Sequence, residues 1–101
     1  MANFTTRVVL HKDDKTYEPL DSETYEILHE AMEEQGFSRT IIGDNGHEYH
    51  LPPAEYNKIG DFTGDQVRSS AQAAAKKTGK KKSIIVTEGV RFWIGLKKVK
   101  K

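Results

Sequence analysis

Apolar and polar residues alternate from Phe4 to Lys12, with Phe4, Thr6, Val8 and Leu10 on one side and Thr5, Arg7, Val9 and His11 on the other. A period of two enriched in β-branched residues predicts a strand with one clearly apolar face. Asp13-Asp14-Lys15 ends it, and a polar loop follows to Leu20. The period then changes to that of a helix. Asp21 is a good N-cap, Glu23 lies in the first turn, Leu20 and Tyr25 have the spacing of a hydrophobic staple, and Gly36 is placed as the stop. Tyr25, Leu28, Ala31 and Met32 form the stripe that faces a core, while Glu26, Glu30, Glu33 and Glu34 lie largely around the outer face.

Phe37 to Ile42 predicts a second strand, closed by the turn-rich Gly43-Asp44-Asn45-Gly46. His47 to Leu51 then leads into Pro52-Pro53, which a central strand does not accommodate. Glu55 to Ile59 pairs back as a third strand, with Tyr56 as its anchor. A second helix is marked by Thr63-Gly64-Asp65-Gln66, which has capping-box spacing, and by Phe62 and Val67 at staple spacing. Its stripe of Val67, Ala71, Ala74 and Ala75 is small enough to lie close on a sheet, and Gly79 stops it. After Lys80-Lys81-Lys82, Ser83 to Thr87 is a fourth strand. Glu88-Gly89 reads either as a two-residue hairpin loop or as a bulge. Val90 to Leu96 alternates once more and predicts an additional C-terminal strand. The expected fold is α+β, a ferredoxin-like β-α-β-β-α-β sandwich with one added strand, as a single domain over residues 1–96 with a basic tail at 97–101.

The 101 residues, 36% hydrophobic and 31% charged, suffice for one domain with a core but not for two. The chain has no cysteine, which removes disulfides and thiolate metal sites. Its first residues lack the layout of a signal peptide, and no apolar run approaches the ~20 residues of a membrane span. The expectation is a cytoplasmic protein with no membrane partner. Charge is strongly segregated. Residues 1–75 hold six Lys and Arg against fourteen Asp and Glu, whereas residues 76–101 hold ten against one. A basic segment of this kind is a footprint of polyanion binding, and it also serves plain solubility.

Three stretches resemble the GhoS family of type V toxin–antitoxin antitoxin endoribonucleases: Phe4-Thr5-Thr6-Arg7-Val8-Val9, Met32-Glu33-Glu34-Gln35-Gly36-Phe37-Ser38, and the Gly46…Leu51…Tyr56 spacing. The resemblance covers about the first two-thirds of the chain and rests on hydrophobic and turn positions. It implies a bacterial RNA-binding protein that cuts a toxin messenger, with the ferredoxin-like fold shared by CRISPR-associated spacer-acquisition nucleases. The chain departs from that pattern at Ile27 and His29, where GhoS carries arginines, and in its lysine-rich end.

Metal-free RNA cleavage needs a base, an acid and a cation for the phosphate. His29, on the first helix beside Tyr25 and Met32, is a candidate for base or acid, although the pattern is more often that of a boundary histidine at the domain surface. Asp13 is the second catalytic candidate. With Asp14 it offers hard oxygens that would favour magnesium, and it also suits a simple turn. His47 and His50 lack further ligands for a metal site. Lys76, Lys77, Lys80, Lys81 and Lys82 surround one helix-to-strand corner, and Arg91, Trp93 and Lys97 share a face of the terminal strand. Cations and an aromatic ring on an open sheet face suit RNA phosphates and bases. Three readings stay open: an RNA-cleaving enzyme, a nucleic-acid-binding module without catalysis, and a homodimer formed through the C-terminal strand.

Overall fold

The computed structural model describes residues 2–11 and 22–99. Among these, the elements in chain order are β1 (Ala2–His11), α1 (Ser22–Glu34), β2 (Thr40–Ile42), β3 (Glu48–His50), β4 (Glu55–Gly60), α2 (Gly64–Lys76) and β5 (Lys81–Glu88). The chain is α+β with two helices and antiparallel sheets. β1 is the centre of a three-stranded sheet of order β4-β1-β5, antiparallel to both neighbours, and β2 and β3 form a separate two-stranded sheet. Ser38 and Asn57 exchange backbone hydrogen bonds of 2.8 and 2.7 Å, which ties the entry to β2 against β4. No helix among the described residues is long and apolar enough to cross a membrane.

The alternation of β1 divides the sheet into two faces. Phe4, Thr6, Val8 and Leu10 are fully buried under the helices. In register with them on the same face stand Tyr56 and Lys58 of β4 and Ile84 and Val86 of β5. Leu28, Ala31 and Met32 of α1 and Val67, Ala71, Ala74 and Ala75 of α2 complete a single core on that side. The other face carries Thr5, Arg7 and Val9, with Asn57, Ile59 and Ile85 opposite their neighbours.

Thr63 caps α2 as its spacing predicts. Its hydroxyl accepts from Gln66 N at 3.1 Å, and its own N–H donates to Gln66 Oε1 at 2.9 Å. Gly36 ends α1 in the left-handed region at φ +85°, with Phe37 N donating to Met32 O and Gly36 N to Glu33 O. That pair of bonds satisfies the last carbonyls and requires a positive φ at the glycine. The cap expected at Asp21 and the staple residue Leu20 lie outside the described residues.

Three expectations change. Of Phe37–Ile42, only Thr40–Ile42 is a strand, because Phe37 is drawn into the core. Residues 48–50 are themselves a strand paired to it. The Asn45 side chain accepts from His47 N at 3.0 Å and Gly43 N donates to His47 O at 2.9 Å, so the turn folds the chain straight back. The predicted additional C-terminal strand over Val90–Leu96 is not present. β5 ends at Glu88, and Gly89, at φ +141°, turns the chain across the open face, so Glu88-Gly89 is neither a hairpin loop nor a bulge.

The cause of that turn is Arg91. Its Nη1 donates to Asn57 Oδ1 at 2.6 Å and Phe4 O at 3.1 Å, with Thr5 Oγ1 at 3.4 Å. Trp93 then packs on Tyr49 at a ring separation of 6.0 Å, and Lys97–Val99 bond to β3 through His50 N to Lys97 O and Val99 N to Glu48 O. The segment is a clasp rather than a strand.

Among the described residues, one buried side-chain group is left without a partner. Thr6 Oγ1 is inaccessible and has no hydrogen bond. Thr6→Val removes an unsatisfied hydroxyl while nearly preserving shape, so the variant should gain about 1 kcal/mol in urea unfolding. A loss of stability would show that the hydroxyl has an acceptor in solution.

Candidate functional site

His29 follows the core residue Leu28 on α1 and points along the side of the helix toward β4. Its Nδ1 lies 2.6 Å from the Tyr56 hydroxyl, and its ring is 5.8 Å from that of Tyr56 and 6.3 Å from that of Tyr25. His29, with Phe37, lines a groove of about 460 Å³ that Ser38 and Arg39 and the carboxylates of Glu26, Glu30 and Glu33 also border, and the Tyr56 hydroxyl holds the imidazole from behind. Arg39 reaches this position because Ser38 pairs with Asn57, the residue next to Tyr56.

Burial favours the neutral form of both His29 and Tyr56. Burial lowers the His29 pKa from its ordinary 6.5, the Arg39 charge lowers it further, and Glu26 opposes them. Burial pushes the Tyr56 phenol well up, and the Arg39 charge pulls against that shift. Two proton arrangements satisfy the pair. Either the phenol donates to Nδ1 and the ring proton sits on Nε2, or Nδ1–H donates to the phenol oxygen and Nε2 presents a lone pair to the groove. In the second arrangement Nε2 is a general base available at neutral pH.

The lowered pKa fixes the sign of a pH effect. Between the folded-state pKa and 6.5 the unfolded chain binds more protons, so stability rises with pH through that window and is flat above it. An NMR titration of the His29 ring should give a midpoint below 6.5, and His29→Gln should flatten the acid limb of stability. A midpoint above 6.5 would mean that the glutamates, not burial and Arg39, dominate.

The other sequence candidates lie elsewhere. Asp13 falls outside the described residues. Lys76 and Lys77 are exposed at the end of α2, where Lys77 pairs with Glu34 at 2.9 Å, a surface bridge of little energetic weight. Lys80 precedes β5, and Lys81 and Lys82 open it opposite His11 and Leu10. Tyr56, by contrast, stands on the other edge strand opposite Thr6. The two sites are therefore separated by about 10 Å across the sheet and about 13 Å along it. Arg91 and Trp93 sit on the open face, away from the helices, and Arg91 is engaged in holding the clasp. Lys97 is exposed, with its carbonyl bonded to His50 N. The expected Arg91–Trp93–Lys97 strand face does not form, because residues 90–97 make no strand and Gly95, at φ +80°, turns the chain between Trp93 and Lys97.

The structure thus brings Tyr56, Ser38 and Arg39 to His29, and brings neither the lysine corner nor the Trp93 face there. Arg39 and Ser38 escaped the sequence reading because nothing local marks them; only the pairing of Ser38 with Asn57 does. No group of three or more His, Asp or Glu side chains among the described residues is placed to hold a metal ion. Comparison with protein-family models, curated proteins and solved structures finds no match to this chain.

Proposed function

We propose that this chain is a small RNA-binding protein that cleaves RNA in the His29 groove without a metal ion. The observation that carries this reading is the 2.6 Å contact of His29 Nδ1 with the Tyr56 hydroxyl beside Arg39. A neutral imidazole and a guanidinium meet two of the needs of 2′-hydroxyl attack on a phosphodiester, a base for the hydroxyl and a cation for the phosphate. His29 takes the 2′-hydroxyl proton as that oxygen bonds to phosphorus, Arg39 meets the phosphate, and Tyr56 orients the imidazole. The bond from phosphorus to the 5′ oxygen breaks, and the leaving oxygen takes a proton from water. The three glutamates oppose a polyanion, so the strand enters from the Ser38–Arg39 side. The ferredoxin-like arrangement belongs to the same proposal. A central β1 flanked antiparallel by β4 and β5, with the chain before β2 bridging to the outer side of β4, supports that split β-α-β order. The GhoS resemblance fits this reading and points to a messenger RNA as substrate.

The segregated lysines support a second reading, nucleic-acid binding without cleavage. Under either reading affinity falls steeply with salt as counterions are released. Lys80→Glu, Lys81→Glu and Lys82→Glu combined should weaken binding about tenfold or more for many RNA sequences alike, measured by fluorescence anisotropy. Unchanged affinity would leave the corner a solubilising feature and place RNA at the groove alone.

A further inference from the structure

The clasp that Arg91 and Trp93 hold against the protein turns its remaining side chains outward. Val90, Phe92 and Ile94 are 78%, 91% and 96% exposed. Beside them the open sheet face presents Ile59 and Ile85, and Ile42 of β2 adds to the same surface. These six side chains present on the order of 800 Å² of apolar surface, which is what one partner contributes to a stable protein interface. It also exceeds the largest apolar patch of a typical monomer, about 300–600 Å².

The chemistry of the patch selects its occupant. Five of the six residues are aliphatic and cannot stack bases, and of the guanidiniums on this face that of Arg91 is already bonded to the protein, leaving the exposed Arg7 beside Ile85, so the surface is poorly suited to RNA. Its relief suits a copy of itself. Phe92 and Ile94 are the most exposed of the six, Phe92 borders the first of two concavities, and both concavities include residues of the open sheet face. One is a groove of about 420 Å³ among Ile41, Ile42, Ile59 and Trp93, and the other is a dent of about 180 Å³ among Arg7, Val9 and Ile85. A two-fold axis through such a surface seats the protruding Phe92 and Ile94 of each protomer against a concavity of the other, an isologous contact.

We propose that the chain is a homodimer whose interface is the outward face of residues 90–94 together with the open face of the sheet. The contact is made by side chains and needs no strand at 90–96. It is independent of whether the His29 groove cleaves RNA.

Sedimentation equilibrium of the full chain over a broad concentration range tests this directly. The wild type should run at twice the chain mass, and Phe92→Ser with Ile94→Ser should raise the dissociation constant at least about a hundredfold and give the single-chain mass. Both side chains are almost fully exposed in the protomer, so circular dichroism and urea unfolding of the separated chains should be unchanged. A wild type that stays at the single-chain mass throughout overturns the proposal. So does a variant that remains dimeric. A monomeric wild type whose RNA affinity falls in the variant would overturn it too, and would give the patch to RNA.

Discussion

Lys58→Ala should lower the unfolding free energy by about 3 kcal/mol, whereas Lys58→Met should cost no more than about 1 kcal/mol. Lys58 stands on the helix-covered face of β4 opposite Phe4 and is only 8% exposed. Its ammonium donates to the carbonyl of Gln35 just past the end of α1 and lies over two rings, 4.8 Å from the centre of Phe37 and 4.7 Å from that of Phe62. A cation is well placed against the free carbonyls of a helix C-terminus and against aromatic faces. Burial nevertheless lowers its pKa, so the charge is held at a cost.

The two substitutions separate these contributions. Alanine deletes the stem and leaves a void among Phe4, Phe37 and Phe62. Methionine refills the void and removes a charge that was costly to bury, so little is lost beyond one hydrogen bond. Urea unfolding of the two variants decides it. An alanine variant within about 0.5 kcal/mol of wild type would mean that the stem packs nothing. At Gly36 the backbone, at φ +85°, strains any other residue, and a Cβ there would lie 2.8 Å from the Lys58 ammonium, which would have to shift.

His29→Ala should reduce RNA cleavage by about 10²–10⁴-fold, the range expected for loss of a general base. Arg39→Ala should cost about 10²-fold through the phosphate. Both effects should appear in the rate at saturating RNA, because the groups act on the reacting atoms. The wild-type rate should be the same in EDTA, and His47→Ala, on the exposed hairpin, should leave it unchanged. With His29 lowered below 6.5 and acting unprotonated, the rate should climb on the acid side and level off above that value. Tyr56→Phe keeps the ring and removes the hydroxyl, so it should alter the pH midpoint more than it alters folding. RNA left intact by the wild type, or cut as fast by His29→Ala, would remove the nuclease reading. Cleavage abolished by EDTA would return attention to a magnesium-assisted reaction.

Much of the scaffold was readable along the chain because its signals are local. The stripe of Val67, Ala71, Ala74 and Ala75 is buried as its spacing predicts, and the Thr63–Gln66 box closes within four residues. β1 sorts its side chains by simple alternation, and Gly36 and Gly79 stop their helices at positive φ. The site was half readable. His29 could be picked as the histidine on a helix, and Tyr56 as an anchor, but not that they touch across 27 residues of chain. Arg39 carried no mark at all.

The alternation of Val90 to Leu96 misled for an instructive reason. The pattern is real, with Val90, Phe92 and Ile94 on one side and Arg91 and Trp93 on the other, yet a period of two shows only that successive side chains face opposite ways. Hydrogen bonds to Asn57 and Phe4, some 34 and 87 residues away, give the segment its partners and hold it across the sheet rather than in it. By itself, then, the sequence determined the helices, their ends, the apolar face of β1 and the basic character of the last quarter, since each depends on neighbours within a turn or two. The tertiary structure alone decided the strand order, the course of residues 89–99 and the meeting of His29, Tyr56 and Arg39. These depend on long-range pairing, whose register is set by which distant groups satisfy one another.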